Sequence, residues 1–469
     1  MERGRPPEAL ETRVFETAPV SITFLGIHRL PKDNGMALSH KAHALGQEHR
    51  IVARLLALLA TFICFGQTVG ARAGDWPQIL GLNRDGQAQR EQLPAKWPAA
   101  GPQVVWQKDV GRGFAGVAVS QGHLVLFHRI ENELVAEALT ASSGKPLWKV
   151  TFPTRYTSTI SSDDGPRCVP VIHDGQVYLL GPGGELQCVS FDSGKTIWSR
   201  NVLKEFKASD GYFGCGSSPL VEADKLLLNV GGPGGAGIVA LALADGKTLW
   251  QATDEAASYS SPVAATVDGI RHVLFVARLN VVSLDPQTGS VRFRFPFGAR
   301  GPTVNAANPL VLGDHLFVSA SYGVGAQWAK IGKKQATKVW ESDDVMSSQY
   351  CTCVEMDGYL YGIDGRQDVG GARLRCFDPR TGKVQWTEEG FGTGGLILAD
   401  DKLLIMKTEG DLVLADPSPN AYRPLATVKL FETTTQALPA LSNGLLFVRD
   451  TKTLKCVAVG QTQHPKNNP

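Results

Sequence analysis

One short phrase is written into this chain again and again. "LQCVSFDSGKTIWS" begins at Leu186, "VALALADGKTLWQ" at Val239, "LRCFDPRTGKVQWT" at Leu374 and "AEALTASSGKPLWK" at Ala136. Aligned on the last aromatic, the series runs Trp106, Trp148, Trp198, Trp250, Phe293, Trp340 and Trp386, at intervals of 42, 50, 52, 43, 47 and 46 residues. An eighth position falls near Val428. In five copies a glycine stands four residues before the ring: Gly144, Gly194, Gly246, Gly289 and Gly382. Such a glycine supplies the positive φ of a tight hairpin, so the aromatic emerges at a fixed place in the next strand.

Each period holds two further strands upstream of that hairpin. "VPVIHDGQVYLLG" from Val169, "SPLVEADKLLLNV" from Ser218, "NPLVLGDHLFVSA" from Asn308 and "PALSNGLLFVRD" from Pro439 share a layout of alternating apolar residues around an Asp, Asn or Gly turn. About four short strands and no helix per period is the arithmetic of a propeller blade. Opening strands centred on Val117, Val169, Leu220, Val263, Leu310, Val354, Leu396 and Leu441 number eight. The last copy ends before its aromatic strand, and the strand of Trp106 has no blade of its own. The expected fold is therefore all-β: an eight-bladed β-propeller in which the N-terminal strand completes the last blade, leaving no open sheet edge. Seven docking aromatics, Trp106 to Trp386, are expected to fill the wedge that opens between blades with distance from the axis.

The N-terminus reads differently. Arg50 and Arg54 precede the apolar run "LLALLATFICF" of residues 55–65, followed by Ala71 and Ala73 in an A-x-A arrangement. That is the pattern of a cleavable export signal, and the run is short for a bilayer span. Residues 1–35 are expected to be a non-native or disordered extension, 36–73 the signal, 74–103 an extended lead-in, 104–460 the propeller and 461–469 a disordered tail. After removal of the signal no transmembrane helix is expected, and the location is periplasmic or extracellular.

Beyond residue 73 the charges nearly cancel, with 38 Lys and Arg against 39 Asp and Glu. That balance offers no basic stripe for nucleic acid. Seven of the eight cysteines lie there too, an odd number for an oxidising compartment, so at least one is unpaired. Cys188 and Cys376 occupy a position filled by Ala138, Ala240 and Ser283 in other copies, as small core residues would. Cys351 and Cys353 are expected on one face of a strand, without the further ligands a metal site needs. His123, His173 and His315 recur at or beside the blade hairpins, which argues for structure.

The repeats "DSGKTIW", "PRTGKVQW" and "ADGKTLW" resemble the tryptophan-docking repeat of pyrroloquinoline quinone (PQQ) type propellers, which include quinoprotein alcohol dehydrogenases and the outer-membrane β-barrel assembly lipoprotein. "DWPQILGLNRDG", "YLYGIDG" from Tyr359 and "PALSNGLLFVRD" are similar to secreted planctomycete proteins with PQQ-binding-like repeats. The resemblance covers Asp75 to about Val459. In the enzymes of that family, it implies, PQQ lies in the central channel on a Trp floor, under a disulfide between adjacent cysteines and beside Ca²⁺ and a catalytic Asp. This sequence has no adjacent cysteine pair, and no position matches the Asp or the Ca²⁺ ligands. No hydrolase, zincin or P-loop pattern occurs, and "GGPGGAG" from Gly231 has no helix after it.

No catalytic residue, metal ligand or cofactor is therefore assigned. The long polar loops between an outermost strand and the next innermost one gather at the channel mouth, and their mixture of rings with charged or amide tips suits recognition. Arg155, Tyr156, Arg167, Asp210, Tyr212, Tyr259, Arg300, Asn305, Gln349 and Tyr350 are the candidate contact face. The expected function is a monomeric, non-catalytic binding or scaffolding module for an envelope protein or polysaccharide. The alternative is a PQQ- and calcium-dependent oxidoreductase with an atypical pocket.

Overall fold

The computed structural model describes residues 74–461, and the expected export signal, the extension before it and nearly all of the tail lie outside them. Eight antiparallel sheets of four strands follow one another, one of them lengthened by a short fifth strand. Blades 1 to 7 span residues 118–153, 171–201, 220–252, 263–296, 310–342, 354–388 and 394–429. Blade 8 takes Ala440–Ser442, Leu445–Arg449 and Thr453–Ala458 from the end of the chain. Its outermost strand is Gln103–Asp109, paired antiparallel with Thr453–Ala458 so that Trp106 faces Cys456. The ring thus closes as expected. Among the described residues the only α-helix is Val202–Glu205, and no helix is long and apolar enough to cross a membrane.

Alternation of apolar residues explains the burial. The second and third strands of each blade are covered on both faces; Leu124–Phe127 and Leu134–Ala136, for example, are at most 1% exposed. Outermost strands bury alternate residues only, as in Pro146–Pro153 with Trp148 and Phe152 inward.

Consecutive blades are tied at two radii. At the axis, residues just ahead of the innermost strands bond from blade to blade. Ser218 Oγ accepts from the Val169 amide (2.8 Å), Ser261 Oγ from Ser218 (2.9 Å), Asn308 Oδ1 from Ser261 (2.7 Å) and Thr352 Oγ1 from Asn308 (2.9 Å). All four side chains are buried, so each bond satisfies an amide that water cannot reach.

At the rim, the repeated indole reaches forward. Trp106 Nε1 donates to Ala141 O (2.8 Å), Trp148 to Phe191 O (2.7 Å), Trp198 to Leu243 O (2.8 Å), Trp250 to Pro286 O (3.2 Å) and Trp340 to Pro379 O (2.7 Å). The rings of the first four lie on the next blade's hairpin glycine. A Cβ added at Gly144, Gly194, Gly246 or Gly289 would stand 2.6–2.8 Å from the preceding blade's indole, and all four glycines have φ of 67–71°. These glycines are therefore required twice over, by the turn and by the ring above it. Phe293, the smaller ring, comes before Ala336, the corresponding residue of the next blade, and the two pack in one cluster.

Blade 7 breaks the pattern. A bulge immediately precedes the ring position in every other blade, and the same register shift in blade 7 sets Ala426 opposite Leu414, two residues ahead of Val428. Val428 instead lies against Gly101. The missing indole comes from outside the blades: Trp97 Nε1 donates to Val459 O (3.2 Å). Val459 follows Cys456 by three residues, as Ala141 follows Ala138 and Phe191 follows Cys188. Trp97 therefore occupies, on the next blade, the acceptor that a blade 7 tryptophan would have used.

The cysteines are all free among the described residues. Cys188, Cys376 and Cys456 lie opposite Trp198, Trp386 and Trp106. Burial pushes the Cys188 and Cys456 thiols up to about 12 and Cys376 to about 11. Cys351 and Cys353 do not share a face. Cys351 packs with Tyr361 and Leu396, Cys353 with Phe317 and Trp328, because regular strand begins only at Val354 and the preceding backbone is not alternating.

The closure carries a buried ionisable relay. The Gly111 amide donates to His128 Nδ1 (2.7 Å), which leaves His128 Nε2 as the donor to Glu137 Oε1 (3.0 Å). Lys108 of the closing strand meets the other Glu137 oxygen at 3.0 Å. Burial, together with the Arg449 and Lys108 charges, outweighs the carboxylate and holds His128 below its ordinary 6.5. The His128 hydrogen bond, and then Lys108, hold Glu137 down to about 2 against its own burial. Both groups bind protons more readily when unfolded, so their contribution is complete above pH about 6.5 and declines on acidification, first through His128 and below about 4.5 through Glu137.

Two outcomes are expected in urea unfolding. Trp198→Ala lowers stability by about 3–5 kcal/mol, and Trp97→Ala costs a comparable amount although it belongs to no blade; a Trp97 loss below about 1 kcal/mol would mean the junction is held elsewhere. The unfolding midpoint falls between pH 7 and 4, and His128→Gln flattens that fall; parallel pH profiles for the two proteins would contradict the relay.

Candidate functional site

One end of the channel is sealed. Residues 76–91 form a strap that touches most blades in turn. Trp76 bridges to Val119 of blade 1, and Pro77 O accepts from Ile172 of blade 2. Arg84 is fully buried and donates to the carbonyls of Ser218 (3.4 Å), Pro219 and Pro262 (2.8 Å) ahead of blades 3 and 4, while its Nε bonds Gln78 Oε1 (2.8 Å). Desolvation brings its pKa down to about 9, still above neutrality, so the guanidinium keeps its charge. Gln87–Ala88 then pairs in parallel with Gly394–Ala399 of blade 7, and Glu91 accepts from the amides of Asn443 and Gly444 in blade 8.

The opposite end opens into a funnel of about 320 Å³. Its floor is Ile79 of the strap, packed with Leu438. One wall carries Phe114, Phe213 and Tyr259; the other carries Tyr322, Tyr350, Gln349, Gln367 and Gln436. The second wall is hydrogen-bonded within itself. Tyr350 Oη (3.1 Å) and Gln436 Nε2 (2.7 Å) both donate to Gln367 Oε1, and Gln349 Nε2 donates to Tyr322 Oη (3.2 Å). Arg167 stands in the first wall with its guanidinium 5.5 Å from the ring centres of both Phe114 and Phe213.

The candidate residues divide among several places. Arg167, Tyr259, Gln349 and Tyr350 line the funnel. Asp210 and Tyr212 line a smaller cavity of about 200 Å³ that shares Tyr259 as a wall. Arg155 and Arg300 are exposed on the surrounding loops. Tyr156 and Asn305 are buried, at 8% and 1% exposure, and their visible roles are internal. Tyr156 O accepts from Arg129 (2.6 Å), and Asn305 Nδ2 donates to Ala277 O (2.8 Å) while Asn305 O accepts from the Tyr259 and Ser260 amides.

Composition alone could not single out Ile79, Phe114, Phe213, Tyr322, Gln367 or Gln436, because each owes its place to a different loop. Tyr259 organises one wall: its hydroxyl accepts from the Tyr212 amide (3.1 Å) and the Phe213 amide (2.8 Å), and burial pushes its pKa up to about 12.

The quinone and calcium of the related dehydrogenases do not fit this donor set. No Asp or Glu lines the funnel, its floor is Ile79 rather than an indole, and one guanidinium faces what would be a polycarboxylate. Among the described residues no group of three or more His, Cys, Asp or Glu could hold a metal ion.

An eight-bladed ring with a blind, aromatic-lined mouth defines the class as a PQQ-type repeat propeller. A family model described as outer membrane protein assembly factor BamB matches residues 98–201 and 137–388, more than half of the chain, and the chain belongs to that family. It is 26% identical over 311 residues to outer membrane protein assembly factor BamB of Salmonella typhimurium, covering 60% of this chain and 71% of that one. The structure of BamB from Moraxella catarrhalis aligns over 76% of this chain and 99% of its own, with TM-score 0.55 and 14% identity. Quinohemoprotein alcohol dehydrogenase from Comamonas testosteroni aligns over 86% of this chain and 83% of its own, with TM-score 0.58 and 13% identity. At these identities the structural likenesses speak for the propeller alone.

Tyr259→Phe leaves two loop amides without their acceptor and is expected to cost about 1–3 kcal/mol, whereas Arg300→Ala leaves the thermal midpoint unchanged. Equal melting of Tyr259→Phe and the parent would show that the two amides find other partners.

Proposed function

We propose that this chain is an exported, non-catalytic binding propeller of the cell envelope that engages a protein partner through the loop face around the funnel, as an accessory to assembly rather than as an enzyme. The observation that carries this reading is the lining itself. It presents rings, amides and one arginine, but no acid–base pair, activated nucleophile or metal donor set around a space where a substrate could react. Aromatic and arginine side chains at the centre of a polar rim are what protein hot spots are made of. Membership of a family described as an outer membrane assembly factor supports the same reading. The export signal over residues 36–73 belongs to it, with processing ahead of Gly74, and the chain works as a monomer.

The test uses a photo-crosslinking residue at Tyr212 or Arg300 in the living cell. One discrete adduct is expected from either position, and the adduct from Tyr212 is weakened about tenfold by an Arg300→Glu exchange. No adduct from any rim position, or saturable PQQ binding with alcohol-dependent dye reduction, would overturn the proposal. N-terminal sequencing of the mature protein should begin at or near Gly74.

A further inference from the structure

We infer that the funnel is a receptor for a single carboxylate carried on a flat apolar body, taken end-first with Arg167 as its counter-ion. Its source, though not its chemistry, rests on the binding-module reading above.

The shape excludes a threaded polymer. Behind Ile79 the strap is pinned by the Arg84 bonds to three carbonyls, and the cavity on its far side shares no lining residue with the funnel. An occupant must enter and leave by the same opening. At about 320 Å³ the space is at the small end of ligand pockets, suited to one end group rather than a run of polymer.

The sign of the ligand follows from the charges. Arg167 is the only charged residue in the lining. Its hydrogen bonds go to neutral carbonyls, Nη1 to Gly165 O (3.2 Å) and Nη2 to Asp163 O (3.0 Å), and among the described residues it forms no ion pair. A guanidinium carries about five N–H donors, so several remain to donate to a carboxylate. The neighbouring cation Arg366, set 4.2 Å over the Tyr322 ring, is already matched by Asp368. Arg167 is half-buried beside the flanking rings, and that partial loss of water strengthens its attraction for an anion.

The body of the ligand follows from the walls. Phe114, Phe213 and Tyr259 offer ring faces and edges on one side, and Tyr322 and Tyr350 on the other. Much of the polar capacity between Tyr350, Gln367 and Gln436 is spent internally, so this wall favours a snug apolar surface over a highly hydroxylated one. An aromatic ring stacked between the two walls with its carboxylate at Arg167 satisfies both halves. A free aromatic acid and the carboxyl terminus of a chain ending in an aromatic residue share this chemistry.

Calorimetric titration of the full mature protein decides the matter with three probes: N-acetyl-Ala-Ala-Phe as the acid, the same peptide as its C-terminal amide, and 3-phenylpropanoate. The acid peptide is expected to bind at least about tenfold more tightly than the amide, a gap that shrinks with added salt. Arg167→Gln should remove the gap, while Arg155→Gln, outside the funnel, leaves it intact. Tighter binding of the acid peptide than of 3-phenylpropanoate assigns a chain end, and equal binding assigns a free acid; both uphold the receptor. Equal affinity of acid and amide for the parent protein, or no binding of either acid, overturns it. That comparison needs no variant, so it stands even where Arg167→Gln fails to fold. Absence of a rim adduct together with acid-selective binding would sink the assembly reading and spare this one.

Discussion

The structure depends on one contact repeated around its circumference: an indole that rests on the next blade's hairpin glycine and donates its N–H to a carbonyl just beyond the strand. A single blade is a small sheet with two apolar faces and cannot bury either alone. The indole supplies both the area that fills the widening gap and a directional bond that fixes how one blade is rotated against the next. The serine, asparagine and threonine bonds near the axis do the same at small radius, where there is no room for a ring. Two ties at different distances from the axis set the angle between neighbours more firmly than either would alone.

The irregular junctions show the same constraint operating by other means. Phe293 is paired with Ala336, so the smaller ring meets a residue that retains its Cβ. Blade 7 has no ring, and Trp97 reaches in from the lead-in segment to use the waiting carbonyl of Val459. That segment therefore has several duties. It completes a junction, seals one end of the channel through Arg84 and Ile79, and continues into the strand that closes the ring. Joining these functions in one stretch of chain couples closure of the fold to the creation of a one-ended funnel.

The grouping of the candidate contact residues was legible only in part. Loop length and the mixture of rings with polar tips brought together Arg167, Tyr259, Gln349 and Tyr350, which do meet in the funnel. The same composition also pointed to Tyr156 and Asn305, which the loops turn inward to satisfy backbone groups. A loop residue's direction depends on where its neighbours' amides need partners, and no periodicity reports that. The floor was missed because Ile79 lies far in the chain from every other lining residue, and the DWPQILGLNRDG stretch around it reports a family likeness without reporting where the segment packs.

What the sequence determined by itself was the repeated unit, the number of blades and the way the ring is latched, because spacing, turn glycines and alternation are local and recur often enough to be read. The Cys351 and Cys353 faces, the true register of blade 7 and the role of Trp97 were decided by tertiary structure. Each is set by what packs across a gap from residues distant in the chain, and a local pattern carries no record of that gap. The funnel itself belongs to the same class, since its sign and shape arise only when separate loops and the strap converge on one axis.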